Sequence, residues 1–371
     1  MSFIPINRPI LSNAEKEAVM SVLESGRLTD SSYEGGKFVK EFEGKVRSLL
    51  STKHVVAVNS GTAALHTTLL ALGIKPGDEV IVPTFTFVAT SNVVLACGAK
   101  PVFVDNKQDC NIDPRQVSRA ITKKTKAIIP VHLYGYPADM DELMELCTSK
   151  GIHIVEDAAE SLGATYKGKQ TGTLSDAGCF SMYASKVATS GEGGAISTID
   201  DELADRLRMV RNHGMVHGYD SRHLGFNYRL PEVMAAIGSV QMDKLAGFIA
   251  QRKKNARYLI ERFSGMDDAV FYQDAKDRTH VFYLYTLWLK SRRDAIVDAL
   301  VKKGVGAAVY FRVPVHETPL YVRLGYSRKK LPGADAASKH VLSLPVHPAV
   351  GSQDIERIAD EFIAALKQQH K

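Results

Sequence analysis

Apolar residues recur at two spacings along the chain, and the change from one to the other falls near residue 54. Before it, Ala18, Val19, Val22 and Leu23 share one face at helical spacing. Ser12 and Glu15 frame that run as a capping box, and Gly26 stands where the helix should close. A second amphipathic helix is expected from about residue 35 to Leu50. From residue 54 onward, short β-rich runs alternate with helical ones: HVVAV then TAALHTTLLALG, EVIVP then FVATSNVVLACG, followed by KPVFVD, KAIIPVHLYG and IHIVEDAA. This alternation predicts an α/β fold, a mainly parallel sheet wrapped by helices.

Further along, GCFSMYASK and GGAISTID read as strands, and DELADRLRMVRNHG as a helix. The run from Pro231 to Phe263 reads as one helix long enough to link two domains. Beyond about Ser264 come the strand-like THVFYLYTLWLK, a helix around RRDAIVDALVKKG, a short strand in GVGAAVYF and a closing helix in DIERIADEFIAALKQ. We expect a large domain over residues 12–250 and a smaller α+β domain over 251–371, with residues 1–11 packing on the smaller one. The chain has no internal repeat and no low-complexity linker, so the two parts should pack tightly.

With 45% hydrophobic and 24% charged positions, a chain of 371 residues can bury a substantial core. The net charge of +6 arises from 47 basic and 41 acidic residues scattered without runs. Such a surface suits anionic substrates and argues against nucleic acid. Cys97, Cys110, Cys147 and Cys179 form no CxxC pair, as reduced cytoplasmic thiols would stand. The amino-terminal stretch lacks a secretory pattern, and no segment offers 18 uncharged apolar residues, so neither secretion nor membrane spanning is expected.

Candidate chemistry gathers where strands end. In Asn59-Ser60-Gly61-Thr62-Ala63-Ala64-Leu65 a strand gives way to a helix through a hydroxyl-rich turn. This turn reads either as an ordinary cap or as a phosphate cradle built from free amides and the helix dipole. Phe85 and Phe87 follow EVIVP, and either could pack in the core or stack on a flat ligand. The stretch Glu156-Asp157-Ala158-Ala159-Glu160 follows IHIV; its carboxylates could serve a solvated turn, a metal or a protonated ring nitrogen. Lys186 lies among small and apolar residues in FSMYASK. Desolvation there would lower its pKa and free its amine for Schiff-base chemistry, although a solvated surface lysine has the same local sequence. The following GEGG lacks the spacing of a dinucleotide-binding fingerprint.

Taken in order, NSGTAAL, GDEVIVPTFTFVAT, VEDAAESLGA, FSMYASK, GEGG, FNYR and LPVHP resemble the DegT-type nucleotide-sugar aminotransferases. These are pyridoxal-phosphate enzymes of the aspartate-aminotransferase fold (fold type I), whose large domain carries a mainly parallel seven-stranded sheet. The likeness runs from about Ile4 to the last helix. It implies that Lys186 binds pyridoxal 5'-phosphate covalently and then shuttles a proton. It also implies that Asp157 keeps the pyridine nitrogen protonated, so that the ring can act as an electron sink, and leaves metal binding the least favoured option. Phe87 matches the stacking aromatic, and Ser60, Gly61, Thr62 and Ser181 match the phosphate site. Asn227 matches a residue that reaches the phosphate of a neighbouring subunit, implying a homodimer with shared sites.

The resemblance also places Glu160 near the cofactor's phenolic oxygen, where many members carry Gln or His. A carboxylate beside a phenolate is repelled unless one of them holds a proton, so Glu160 is expected to contact substrate or share that proton. SMYASK also departs from the more usual second aromatic and glycine before the lysine. The resemblance implies transfer of the amino group of L-glutamate to a nucleotide-linked keto-sugar, giving 2-oxoglutarate and an amino-sugar nucleotide for surface polysaccharide. The 4-keto-6-deoxy type is favoured because PVHETPLY and the central segments look most like perosamine synthases. Arg229, His316 and Tyr321 are candidates for substrate contact, with loop packing as their other reading. Related dehydratases carry histidine at the lysine position, so Lys186 favours transamination. The alternatives are dehydration or dehydrogenation on the same cofactor, and a regulator that binds it without catalysis.

Overall fold

The computed structural model describes residues 2–216, 218–266, 269–271, 275–290 and 292–369. In chain order the elements are α1 (Asn13–Ser25), α2 (Lys37–Leu50), β1 (His54–Val58), α3 (Gly61–Ala71), β2 (Glu79–Pro83), α4 (Ala89–Ala96), β3 (Lys100–Val104), α5 (Pro114–Ala120), β4 (Thr125–Ile128), α6 (Met140–Thr148) and β5 (His153–Asp157). A two-strand hairpin, β6 (Thr165–Tyr166) and β7 (Lys169–Gln170), precedes β8 (Ala177–Ser181), β9 (Gly194–Thr198), α7 (Asp201–Arg211) and α8 (Glu232–Arg262). The last part holds β10 (Ala269–Phe271), β11 (Tyr285–Leu289), α9 (Arg293–Lys302), α10 (Pro319–Arg323), α11 (Pro332–His340), β12 (Val341–Leu344) and α12 (Ser352–Gln369).

The main sheet has seven strands in the order β1-β9-β8-β5-β4-β2-β3. β3, β2, β4, β5 and β8 pair in parallel, whereas β9 runs antiparallel to both β8 and β1. Helices cover both faces, so the strands are apolar on both sides; in β2 every residue is buried. α3 lies between the sheet and other helices, and nearly all of TAALHTTLLA is buried, as an all-round apolar helix requires. The signals around α1 act as expected: Ser12 and Glu15 form the capping box, and Gly26 takes the left-handed conformation at φ +66°.

A second core surrounds the antiparallel sheet β10-β11-β12. Ile296, Leu300, Leu342, Leu344 and Phe362 fill it together with Phe263 and Ile4. The amino-terminal segment joins this part: the Ile4 N–H donates to Gly304 O at 2.8 Å, and Gly306 N–H donates to Ile4 O at 2.7 Å. α8 runs unbroken through residue 250, so the main chain continues as helix across the expected boundary. It is the one helix among the described residues long and apolar enough to cross a bilayer, but 44% of its most apolar window is buried inside the protein.

Two strand expectations are shortened. Within GVGAAVYF only isolated bridges form, Ile4 with Val305 and Ala308 with Ser343, because the segment starts with a left-handed Gly304 and packs Gly306 against residues 4–6. THVFYLYTLWLK becomes strand only at Tyr285; before that its amides serve the large sheet's loops, with Thr279 N–H donating to Thr165 O and Val281 N–H to Gly135 O.

Candidate active site

The parallel strands end at one edge, and the β8–β9 connection turns back over that edge. Asp157, the last residue of β5, is buried at 5% exposure. Thr90 Oγ1, from the first turn of α4, donates to Asp157 Oδ2 at 2.9 Å, and the Ala159 N–H donates to Oδ1 at 3.3 Å. Burial raises the Asp157 pKa, although Thr90, the Ala159 amide and nearby Lys186 pull the other way. A buried carboxylate whose hydrogen bonds come from neutral donors is a site for a cationic N–H partner.

Lys186 lies on the connection between β8 and β9. That connection is held shut by Met182 N–H on Gly193 O at 2.8 Å and Ser190 N–H on Met182 O at 2.9 Å. The Lys186 Nζ stands 3.4 Å from Glu160 Oε1 and 4.5 Å from the centre of the Tyr283 ring. The expectation of a lowered lysine pKa is corrected here. Burial does pull it down, but the charges of Glu160, Tyr283 and Asp157 outweigh that effect and raise it.

At the start of α3 the two readings of the turn divide between residues. Ser60 is an ordinary N-cap, its Oγ accepting the Ala63 N–H at 3.0 Å. Gly61 packs directly on the end of β8: a Cβ at position 61 would stand 2.9 Å from the Ser181 Cβ. Thus the positive end of α3, which carries the exposed Thr62, lies directly against Ser181 at the end of β8. The two aromatics also separate. Phe85 is core at 1% exposure, whereas Phe87 is 59% exposed and lies 6.4 Å from the Phe311 ring.

The remaining candidates scatter. Asn227 is exposed, and its carbonyl accepts from Asn59 Nδ2 at 3.3 Å. Arg229 Nη1 donates to Asn212 Oδ1 at 2.7 Å, which ties its guanidinium to the neighbouring segment. His316 and Tyr321 are placed in the interior rather than at an open substrate surface. His316 Nδ1 meets Thr84 Oγ1 at 2.6 Å, and the Tyr321 hydroxyl donates to Asn92 Oδ1 at 2.9 Å beneath an edge-on Phe103 ring.

Of the readings open for the Glu156–Glu160 carboxylates, a solvated turn does not fit Glu156, which is fully buried. It accepts from His132 Nε2 (2.9 Å), Gly172 N–H (2.6 Å), Leu174 N–H (2.7 Å) and Ser175 Oγ (3.0 Å). A glutamate inside a strand that the apolar pattern buries on both faces was the available signal. Thr90, Tyr134 and Tyr283 carried no local signal, because their importance comes only from what they touch.

Residues 9–363 match the model of the DegT/DnrJ/EryC1/StrS aminotransferase family. The chain belongs to this family. Family members similar to it include the GDP-perosamine synthase of Caulobacter vibrioides, 37% identical over 373 residues and 98% of both chains. Another is the dTDP-3-amino-3,4,6-trideoxy-alpha-D-glucose transaminase of Streptomyces venezuelae, 39% identical over 345 residues, 92% of this chain and 89% of that one. Among solved structures, a Streptococcus pneumoniae protein assigned as a sugar aminotransferase superposes in its PLP-form with a TM-score of 0.93 at 29% identity, over 99% of both chains. Its PMP-form gives a TM-score of 0.93 at 30% identity. This family member is accordingly a pyridoxal-phosphate-dependent aminotransferase of fold type I. Its own residues fit that cofactor: a buried carboxylate that takes no cationic hydrogen-bond donor from the described residues, a lysine whose charge acts on it, and a helix amino terminus closed against a serine.

Proposed function

We propose that this aminotransferase moves the amino group of L-glutamate to a nucleotide-linked keto-sugar of the 4-keto-6-deoxy type, releasing 2-oxoglutarate and an amino-sugar nucleotide. The observation that carries the reading is the grouping of Lys186, buried Asp157 and the Gly61–Ser181 approach at one sheet edge. The nucleotide-sugar substrates named for the Caulobacter and Streptomyces relatives supply the substrate class.

Bound pyridoxal phosphate supplies an electron sink for the bond-breaking steps. Around it, each protein group has a separate task. Lys186 would hold the cofactor, and its amine would serve as the base and acid that moves the proton. Asp157 keeps a proton on the ring nitrogen; Thr90 fixes the carboxylate's direction by occupying Oδ2. The amides of Gly61 and Thr62, with the Ser181 hydroxyl, hold the phosphate, while Ser60 organises the turn by capping it. Phe87, which is 59% exposed, would offer its ring to the flat face of the cofactor.

The sites are proposed to be shared in a homodimer, with exposed Asn227 serving the partner subunit's phosphate. Leu224 and Tyr219 on the same segment are 71% and 98% exposed, as apolar surface awaiting a partner would be. A mixed dimer of Lys186→Ala and Asn227→Ala subunits then holds one intact site and recovers activity that neither homodimer has; absence of recovery would remove the sharing. The main assay supplies glutamate with a panel of GDP-, UDP- and dTDP-linked keto-sugars and reads product mass and ring position. Conversion of a sugar without 2-oxoglutarate would replace transamination by dehydration or dehydrogenation.

A further inference from the structure

Glu160 is set at the point where three separate segments meet Lys186. Its Oε2 accepts the Tyr134 N–H at 2.7 Å, leaving Oε1 turned to the Lys186 Nζ at 3.4 Å. Tyr134 makes that bond from a left-handed conformation at φ +60°, which costs a non-glycine residue about 1–3 kcal/mol and persists only where the surroundings enforce it. The enforcement is visible. Gly135, at φ +94°, is packed so closely that a side chain there would stand 2.6 Å from Val281 Cγ2 and 3.0 Å from Glu160 O. The Tyr134 hydroxyl donates to Tyr310 O, and the Val281 N–H to Gly135 O, so both parts of the chain fix the turn.

Asp157 from the end of β5, Glu160 just beyond it, Tyr283 from the segment before β11 and Tyr310 from the segment after α9 face Lys186, while the cations Arg252 of α8 and Arg8 line the same small cavity as the lysine. Asp157 is already engaged by Thr90 and the Ala159 amide. Glu160 alone among these places a carboxylate oxygen within 4 Å of the lysine nitrogen, and both side chains are largely buried, at 13% and 15% exposure. Solvent screening is weak at such a pair.

We propose that Glu160 is the counter-ion that keeps the proton on the Lys186 side-chain nitrogen and fixes where that nitrogen stands. The proposal rests on the reading of Lys186 as the cofactor-binding lysine. It gives Glu160 a role through Lys186, at a position expected to face the cofactor's phenolic oxygen or the substrate. An opposite charge at this separation favours the charged form by about 1–3 pH units. Only the neutral amine adds to an aldehyde carbon, with loss of water, so the counter-ion sets the pH at which the chain takes up its cofactor.

The test is a pH titration of the visible absorbance of the cofactor-loaded full chain, run on wild type, Glu160→Gln and Glu160→Asp. It is paired with the rate at which each stripped protein captures added pyridoxal phosphate between about pH 6 and about pH 10. In Glu160→Gln both midpoints move down by about 1–3 pH units, and capture near neutral pH becomes faster by about tenfold or more. Glu160→Asp, which keeps the charge, lies between the two. Unmoved midpoints in a folded Glu160→Gln overturn the proposal, as do equal shifts in Gln and Asp, which would indicate packing alone. If borohydride instead traps the cofactor covalently on Lys186→Ala, the lysine assignment itself has failed, a result separable from either of these.

Discussion

Replacing Glu156 by glutamine tests whether a buried side chain next to Asp157 is structural support or a bystander. In the native arrangement the two oxygens of Glu156 take four donors. His132 Nε2 and the Gly172 N–H meet Oε2; the Leu174 N–H and Ser175 Oγ meet Oε1. The histidine cannot reverse its role, because its Nδ1 already accepts the Ala138 N–H at 3.1 Å. The amide of glutamine must therefore keep its oxygen toward His132 and Gly172 and turn its NH2 toward Leu174 and Ser175. Ser175 can rotate and accept, but the Leu174 N–H is left facing another donor. One buried donor without a partner costs about 1–3 kcal/mol, so Glu156→Gln should lose about 2 kcal/mol. Glu156→Leu, which strands all four donors, should lose several times as much, approaching the 5–15 kcal/mol that sustains a whole domain. Urea unfolding at fixed protein and cofactor concentration measures both, since ligand and subunit binding would otherwise mask the difference. A glutamine variant within about 0.5 kcal/mol of wild type would refute the four-donor account.

Other outcomes follow from the same geometry. Asp157→Ala should lose most turnover while remaining folded, and a variant with near wild-type turnover would end its assignment to the ring nitrogen. Lys186→Ala should lack the visible absorbance of lysine-bound cofactor and the activity; retention of both would reject that lysine. Phe85→Ala should destabilise the fold by about 3–5 kcal/mol because it empties core, whereas Phe87→Ala should leave stability nearly unchanged and weaken cofactor retention in dialysis. Glu15 is held down to a pKa of about 2: burial acts to raise it, but Lys244, the Ser12 amide and hydroxyl, and Gln241 outweigh that. Its folded pKa lies below the ordinary 4.5. Its contribution is thus present above about pH 4.5 and lost as pH falls toward 2. Glu15→Gln should flatten that part of the stability profile, and an unchanged slope would count against the Glu15–Lys244 contact.

The periodicity of apolar residues located every strand of the main sheet and most helices, because alternation between short β-rich runs and helical runs is a local property. Where the pattern was weakest, in GVGAAVYF and the start of THVFYLYTLWLK, backbone amides found partners in distant loops instead of neighbouring strands. At the candidate site, Asp157 and Lys186 were legible because each ends or follows a recognisable strand. That Phe85 is core and Phe87 exposed was not legible from the residues themselves, since the two lie two residues apart with the same chemistry and differ only in what covers them.

By itself, the sequence determined the α/β class, the capped first helix and the motifs that carry the family resemblance, all of which depend on residues close in the chain. Tertiary structure alone decided that β9 reverses beside β8. That reversal brings the connection carrying Lys186 back over the edge where Asp157 ends β5. Folding also decided that Glu156 faces four internal donors and Glu160 faces the lysine, although both stand in the same five-residue stretch. The physical reason is that a carboxylate's role is set by the donors and charges around it, and here those come from segments 16 to 26 residues away in sequence.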